Sequence, residues 1–387
     1  MVFSSLNFLL VFLPIVLLVY FILPNILIKN GLLVVVSLLF YALGEPYYIV
    51  LLLLSSLVNY LFARTIDKGK SKIKLVIAVA FNLGMLFIFK YLGFFLSILN
   101  SIGLNVPQYE LRLPIGISFF TFQIMSYVID VYTGREKAEK NYFNVLLYIS
   151  FFPQLIAGPI VKYHDISAQI KDRQHTVEKF ATGIHRFIIG LSKKVILSNS
   201  IAVVVDSIYG LDNSQITFLS GWIVAALYCF QLYFDFSGYS DMAIGLGKMF
   251  GFDFLENFNY PLSSTGMKEF WRRWHISLSS WFKEYLYIPL GGNRISEKRT
   301  VVNKFIVFFF TGVWHGANYT FILWGLMNGL FVILEDKIKA LRKIRGTLLG
   351  WIYTFIVVSI CFVLFRSEDL TQAMNIYYNM FLNWGQH

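Results

Sequence analysis

The sequence predicts an all-α polytopic integral membrane protein. Only 14% of its 387 residues are charged and 57% are hydrophobic, against about 25% charged in ordinary soluble domains. Apolar runs recur along the whole chain at about 20 residues, the length that crosses a bilayer as a helix. Lysine and arginine gather in the short stretches between those runs, as they do in the cytoplasmic loops of membrane proteins.

Residues 1–28 hold no Lys, Arg, Asp, Glu or His, and 30–44 and 46–63 hold no formal charge. The opening run, 3–24, lacks a basic start and a small-residue cleavage site, so it reads as a first span and not as a signal peptide. After 30–44 and 46–63, further spans are expected near 75–99, 114–132, 143–161, 183–208, 216–234, 305–334 and 347–365. That makes roughly nine to twelve membrane segments, some of them short or re-entrant. No repeat or soluble domain interrupts them. A single membrane-embedded domain over 1–387 is expected, with its motifs at about 115–335.

The net charge of +11 first holds the topology and secondly favours an anionic ligand. It does not imply nucleic acid, because the basic residues lie in short loops. Cys229 and Cys361 both fall in apolar runs and read as small buried side chains, not as a disulfide framework. No Cys/His spacing fits zinc, and there is no phosphate-loop, zinc-protease or nucleophile-elbow motif.

Basic clusters at 64–74, 162–186, 268–304 and 335–345 are assigned to the cytoplasmic side. Residues 305–334 therefore leave a cytoplasmic loop and return to one. Two full spans need about 40 residues, so a pair of short tilted helices or a re-entrant hairpin is expected. Within this run "FFFTGVWHGANYTFILWG", 308–325, holds one ionisable side chain, His315, flanked by Gly312 and Gly316. Histidine suits proton transfer near neutral pH, and an ionisable residue at membrane depth is a functional candidate. A buried histidine bonded to a neighbouring helix is the competing reading.

A second stretch, "KEFWRRWHISLSSWFKEYLYIPLGGNR", covers 268–294. On a 3.6-residue helix over 271–285, Trp271, Trp274, His275, Leu278, Trp281, Phe282 and Tyr285 share one face. An interfacial amphipathic helix is expected, with His275 either packed against tryptophans or functional. In "LYFDFSGYSDMAIG", 232–245, Asp235 and Asp241 read as helix caps, as partners of Arg272 or Arg273, or as carboxylates that orient a catalytic imidazole. "SFFPQLIAGPI", 150–160, breaks a helix at the membrane edge. His164 and His175 read as solvated in a basic loop, His185 as interfacial, and the final His387 carries no inference.

These stretches in this order, with "KYLGFF" at 90–95, resemble the membrane-bound O-acyltransferase family, most of all its bacterial alginate O-acetylation branch. The specific part of the resemblance covers about 115–335. It implies a helical core with a central tunnel, reached by an acyl thioester from the cytoplasm and by a hydroxyl acceptor from the other side. The family's key histidine falls on His315 of Trp314-His315-Gly316, and its second polar position on His275. The branch implies acetyl-CoA as donor, no metal, and residence in the plasma (inner) membrane. It also implies a secreted or periplasm-facing partner acetyltransferase of the SGNH or alginate type, with a polysaccharide as ultimate acceptor. The chain stops sooner than expected for this branch. On this reading His315 is a general base, and His275 orients the acceptor, stabilises the oxyanion or holds the CoA end. Asn318 is a donor near His315, and Arg272, Arg273, Asn318 and Trp314 are candidates for contacting the donor substrate. A D-alanyl transferase of the same family and a proton-coupled transporter are the alternatives.

Overall fold

The computed structural model describes residues 2–109, 111–156 and 158–383, and all regular structure among them is helical. The principal helices are α1 (Phe8–Ile22), α2 (Ile26–Gly44), α3 (Ile49–Lys68), α4 (Lys72–Ser101), α5 (Ile117–Thr133), α6 (Tyr142–Ser150), α7 (Tyr163–Lys171), α8 (Val177–Tyr209) and α9 (Phe218–Met249). They continue as α10 (Met267–Arg273), α11 (Ile276–Phe282), α12 (Glu297–His315), α13 (Tyr319–Lys337), α14 (Leu348–Arg366) and α15 (Leu370–Leu382). Seven of them, α2, α3, α4, α8, α9, α13 and α14, are long and apolar enough to cross a membrane. Side-chain oxygens of Asn25, Ser71, Asn141, Ser296, Asn318, Thr347 and Asp369 accept from the first turns of the helices they precede, which fixes where those helices begin.

The chain folds as two compact units, one of Met1–Leu191 with Tyr239–Leu255, the other of Ser192–Gly238 with Glu256–His387. The first unit packs on phenylalanines. Phe152 of the 150–160 stretch meets Phe12 edge-on at 5.5 Å and Phe250 at 5.8 Å. The histidines expected to be solvated are instead engaged by residues distant in sequence. His175 Nε2 lies 2.8 Å from the Tyr20 hydroxyl, which also receives Arg173. His164 Nδ1 lies 2.9 Å from Asp130, a buried carboxylate. That hydrogen bond raises the His164 pKa, whereas burial, with Lys29 and Arg173 nearby, lowers His175 to about 4.

Two expectations about the second unit are corrected. First, α12 and α13 have 19 residues each, about 28 Å at 1.5 Å per residue. They are not short, because each continues into charged sequence, from Glu297 to Lys304 and from Glu335 to Lys337. Counting only the uncharged residues undercounts the helices. Their backbones touch: a Cβ on Gly312 would stand 2.3 Å from the Phe321 carbonyl oxygen, and one on Gly325 would stand 2.3 Å from that of Phe308. Only glycine permits this approach.

Second, 271–285 is not one helix. It breaks between α10 and α11, where His275 holds φ 44° and ψ 56°, a left-handed conformation that an α-helix cannot contain. The loop at 257–259 takes up backbone groups freed by the break: Asn257 O accepts from Ile276 N at 2.9 Å, and Asn259 N donates to Arg273 O at 2.9 Å. Trp271, Trp274 and Trp281 are buried, so this aromatic face belongs to the core and is not an interfacial anchor. Glu335, also buried, accepts from Met267 N at the start of α10 and holds Arg345 at 2.7 Å.

Gly325→Ala should lower stability by about 1–3 kcal/mol, the range for overpacking, because backbone and not a flexible side chain blocks the added methyl. A thermal midpoint equal to that of the parent in detergent would contradict this packing. Because the His164 pKa is raised on folding, its contact with Asp130 stabilises fully below pH about 6.5 and weakens as pH rises past the folded value. His164→Gln should remove that component from the dependence of the thermal midpoint on pH.

Candidate active site

His275 is 1% exposed and is oriented by a residue that sequence reasoning missed. Asn257 Oδ1 accepts from Ser277 N at 3.1 Å and Ser277 Oγ at 2.8 Å, so it faces His275 as an acceptor. His275 Nδ1, 3.2 Å from the same oxygen, therefore carries the proton, a tautomer assigned from this network. Burial disfavours the charged ring and lowers its pKa. Nε2 then presents a lone pair, buried and without a hydrogen-bond partner among the described residues. Phe236 closes on the ring at 4.6 Å between centroids.

His315 ends α12 and is half-buried. Three aromatic rings surround it edge-on: Trp314 at 5.0 Å, Trp324 at 4.9 Å and Phe365 at 5.0 Å between centroids. Trp314 also meets His275 at 5.9 Å, so one indole stands between the two imidazoles. Histidines 40 apart in sequence thus share the Trp314 ring, one at the α10–α11 break and the other at the end of α12.

A cavity of about 300 Å³ lies alongside, lined by Lys268, Trp271, Arg272, Lys304, Phe308 and Thr311 among others. Lys304, Val307, Phe308 and Thr311 follow i, i+3, i+4, i+7 on α12, so the cavity runs about 10 Å from Lys304 toward His315. Its mouth is basic. Lys268 and Lys304 share Asp336, while exposed Arg272 has no ion pair among the described residues. Trp271 joins the cavity to the histidines, meeting Phe308 at 5.4 Å and Trp324 at 5.7 Å.

The other expected residues stand elsewhere. Arg273 turns back to Glu269 at 2.7 Å. Asn318 does not continue the His315 helical face, because α12 has ended. Its Oδ1 caps α13 through Thr320 N at 3.0 Å, and its Nδ2 donates to Glu368 O at 2.7 Å. Asp235 pairs with Lys194 and receives Ser198 Oγ at 3.4 Å. Asp241 lies in the first unit and holds Arg186 at 2.7 Å. An amide, Asn257, takes the orienting position at His275, which one of the three readings of Asp235 and Asp241 gave to a carboxylate. Nothing in the sequence marked it, since it lies 18 residues away in a loop without periodicity. Cys229 and Cys361 are buried free thiols. Among the described residues no three His, Cys, Asp or Glu side chains group as a metal site would need.

Residues 135–365 match MBOAT, the membrane-bound O-acyltransferase family, and this range holds both histidines, Asn257, the three tryptophans and the cavity. The chain is 42% identical, over 98% of its length and 75% of the relative's, to the probable alginate O-acetylase AlgI of Pseudomonas aeruginosa. It is 37% identical to the peptidoglycan O-acetyltransferase of Helicobacter pylori, over 97% of this chain and 79% of that one. The teichoic acid D-alanyltransferase of Bacillus subtilis is 30% identical over 68% of this chain and 71% of its own. With the matched range covering more than half the chain and enclosing the whole histidine site, the protein belongs to the membrane-bound O-acyltransferase family and is a multi-pass O-acyltransferase.

Proposed function

We propose that this enzyme takes an acetyl group from acetyl-CoA on the cytoplasmic side of the plasma membrane. It passes the group toward a hydroxyl acceptor on the other side, for O-acetylation of a polysaccharide of the envelope or exterior. The observation that carries this reading is the paired imidazoles across Trp314 beside a cavity with a basic mouth. The relatives in which similarity spans nearly the whole chain carry alginate and peptidoglycan O-acetylation in their names. The D-alanyl relative matches over a smaller share, which favours acetyl as the group moved. A secreted or periplasm-facing acetyltransferase completes delivery to the polymer.

The donor enters at Lys268, Arg272 and Lys304, whose charges suit the phosphates of CoA. Its acyl arm follows the apolar wall of Val307, Phe308 and Thr311 toward His315. There the acceptor oxygen attacks the thioester carbonyl carbon while His315 takes its proton. The C-terminal carbonyls of α12 favour the positive charge this builds on the ring. The C–S bond then breaks, and the imidazolium returns the proton to the departing thiolate. His275 has its Nδ1–H committed to Asn257, so it offers an acceptor, Nε2, and no donor. It therefore orients the acceptor by accepting a hydrogen bond from a second hydroxyl, leaving the proton of the attacking hydroxyl to His315, and does not bind an oxyanion. Apolar walls exclude water, which would otherwise hydrolyse the thioester.

His315→Ala should lower acetyl transfer by about 10²–10⁴-fold, the range of a positioned base, with membrane insertion and thermal midpoint kept. Transfer at the parent's rate by purified variant would remove His315 from the mechanism. Asn257→Leu should lower kcat about tenfold or more, as expected when a partner that orients a histidine is lost, because the His275 tautomer is released. A fall in stability with kcat unchanged would make Asn257 purely architectural. Arg272→Ala should raise KM for acetyl-CoA with kcat little changed. An unaltered KM would move the phosphate contact elsewhere. A transporter, by contrast, would release no free CoA thiol from acetyl-CoA when purified.

A further inference from the structure

Trp271 and Trp324 each bury an indole N–H that meets no hydrogen-bond acceptor among the described residues. Trp324 is 1% exposed and Trp271 9%. Buried donors are nearly always paired, and an orphan in a native fold calls for an explanation, a catalytic role among them. The two rings meet edge-on at 5.7 Å, and Trp324 meets His315 edge-on at 4.9 Å. Phe362 and Phe365 pack on Trp324 at 6.4 and 5.0 Å and offer no acceptor. Trp271 lines the basic-mouthed cavity. Trp271 thus lines the cavity, and Trp324 links it to His315.

The acyl-transfer chemistry lacks one group that neither histidine supplies. As the acceptor oxygen attacks, the carbonyl π electrons move onto oxygen, and the resulting oxyanion needs donors aimed at it. His275 has spent its N–H on Asn257, and His315 is receiving a proton. We propose that the indole N–H groups of Trp324 and Trp271 donate to the thioester carbonyl oxygen and stabilise the oxyanion. The inference rests on the acyl-transfer reading above. The C–O bond forms as the hydroxyl proton moves to His315, and the oxyanion sits against the two N–H groups. On collapse its electrons re-form C=O, C–S breaks, and the thiolate takes the proton back from His315. No oxidant, metal or second substrate is required.

The test uses the purified full chain in nanodiscs, with acetyl-CoA and a soluble sugar acceptor, and follows release of the CoA thiol. Replacing Trp324 by benzothienylalanine keeps the ring outline and puts sulfur where the N–H was. This variant should lose about 10²-fold in kcat, the loss typical of one oxyanion donor, with KM for acetyl-CoA within about twofold and an unchanged thermal midpoint. Trp324→Phe and Trp271→Phe should lower kcat in the same manner. A benzothienylalanine variant within about threefold of the parent's kcat, or one changed only in KM, overturns the proposal. A parent that releases no thiol from acetyl-CoA overturns the acyl-transfer reading as well, so the two failures are distinguishable.

Discussion

The site depends on a single backbone break, the left-handed residue His275 between α10 and α11. Inside a protein of this kind, every backbone N–H and C=O released by a break must find another partner. The 257–259 loop provides them at Ile276 and Arg273, and the Asn257 side chain then provides one more, to the imidazole itself. One short segment thus satisfies the broken helix and sets the tautomer of the buried base-like nitrogen. A non-glycine residue with positive φ costs free energy, and here the surrounding bonds over-determine it. Such strain collects where a side chain must be aimed and not merely packed.

The helix hairpin supplies the other half of the geometry. The contacts of Gly312 and Gly325 with opposing carbonyls leave no slack between α12 and α13, so His315 at the end of one and Trp324 on the other keep a fixed relation. Glu335, near the far end of α13, binds Met267 N at the start of α10. The same helix that carries Trp324 therefore also positions the helix that carries Trp271 and Arg272. A buried carboxylate is tolerated there because Arg345 and the α10 backbone both meet it.

Class and site were legible in the sequence to different degrees. Apolar run length and the placement of Lys and Arg mark the spans because lipid imposes a strong, local demand on every residue of a run. His315 stood out because a charge-free stretch makes one ionisable residue conspicuous. The 3.6-residue period grouped Trp271, Trp274 and His275 on one face, but that face is buried in the core and not laid at the membrane interface. Periodicity, however, cannot detect a single positive φ at a non-glycine residue, so the α10–α11 break was invisible. The lengths of α12 and α13 were underestimated because charged residues can continue a helix past the apolar region. Asn257 was illegible for a third reason: its role comes from a contact over 18 residues of irregular chain, and no local pattern encodes such contacts.

His275 is oriented by a neutral amide, Asn257, among aromatic rings. A charged partner beside His275 would have to be desolvated with it, and a buried ion pair often gains less than its desolvation costs. A neutral amide fixes the tautomer without that charge. Phe236, Trp314, Trp324 and Phe365 stand 4.6 to 5.9 Å from the two histidines between ring centroids. Basic residues remain at the cavity mouth, where Arg272 is still exposed. The basic residues at the cavity mouth and the aromatic rings at His315 are thereby kept about 16 Å apart along α12, the rise from Lys304 to His315. On the acyl transfer proposed above, that separation lets an anionic donor be held without placing its charge in the low-dielectric region around the histidines.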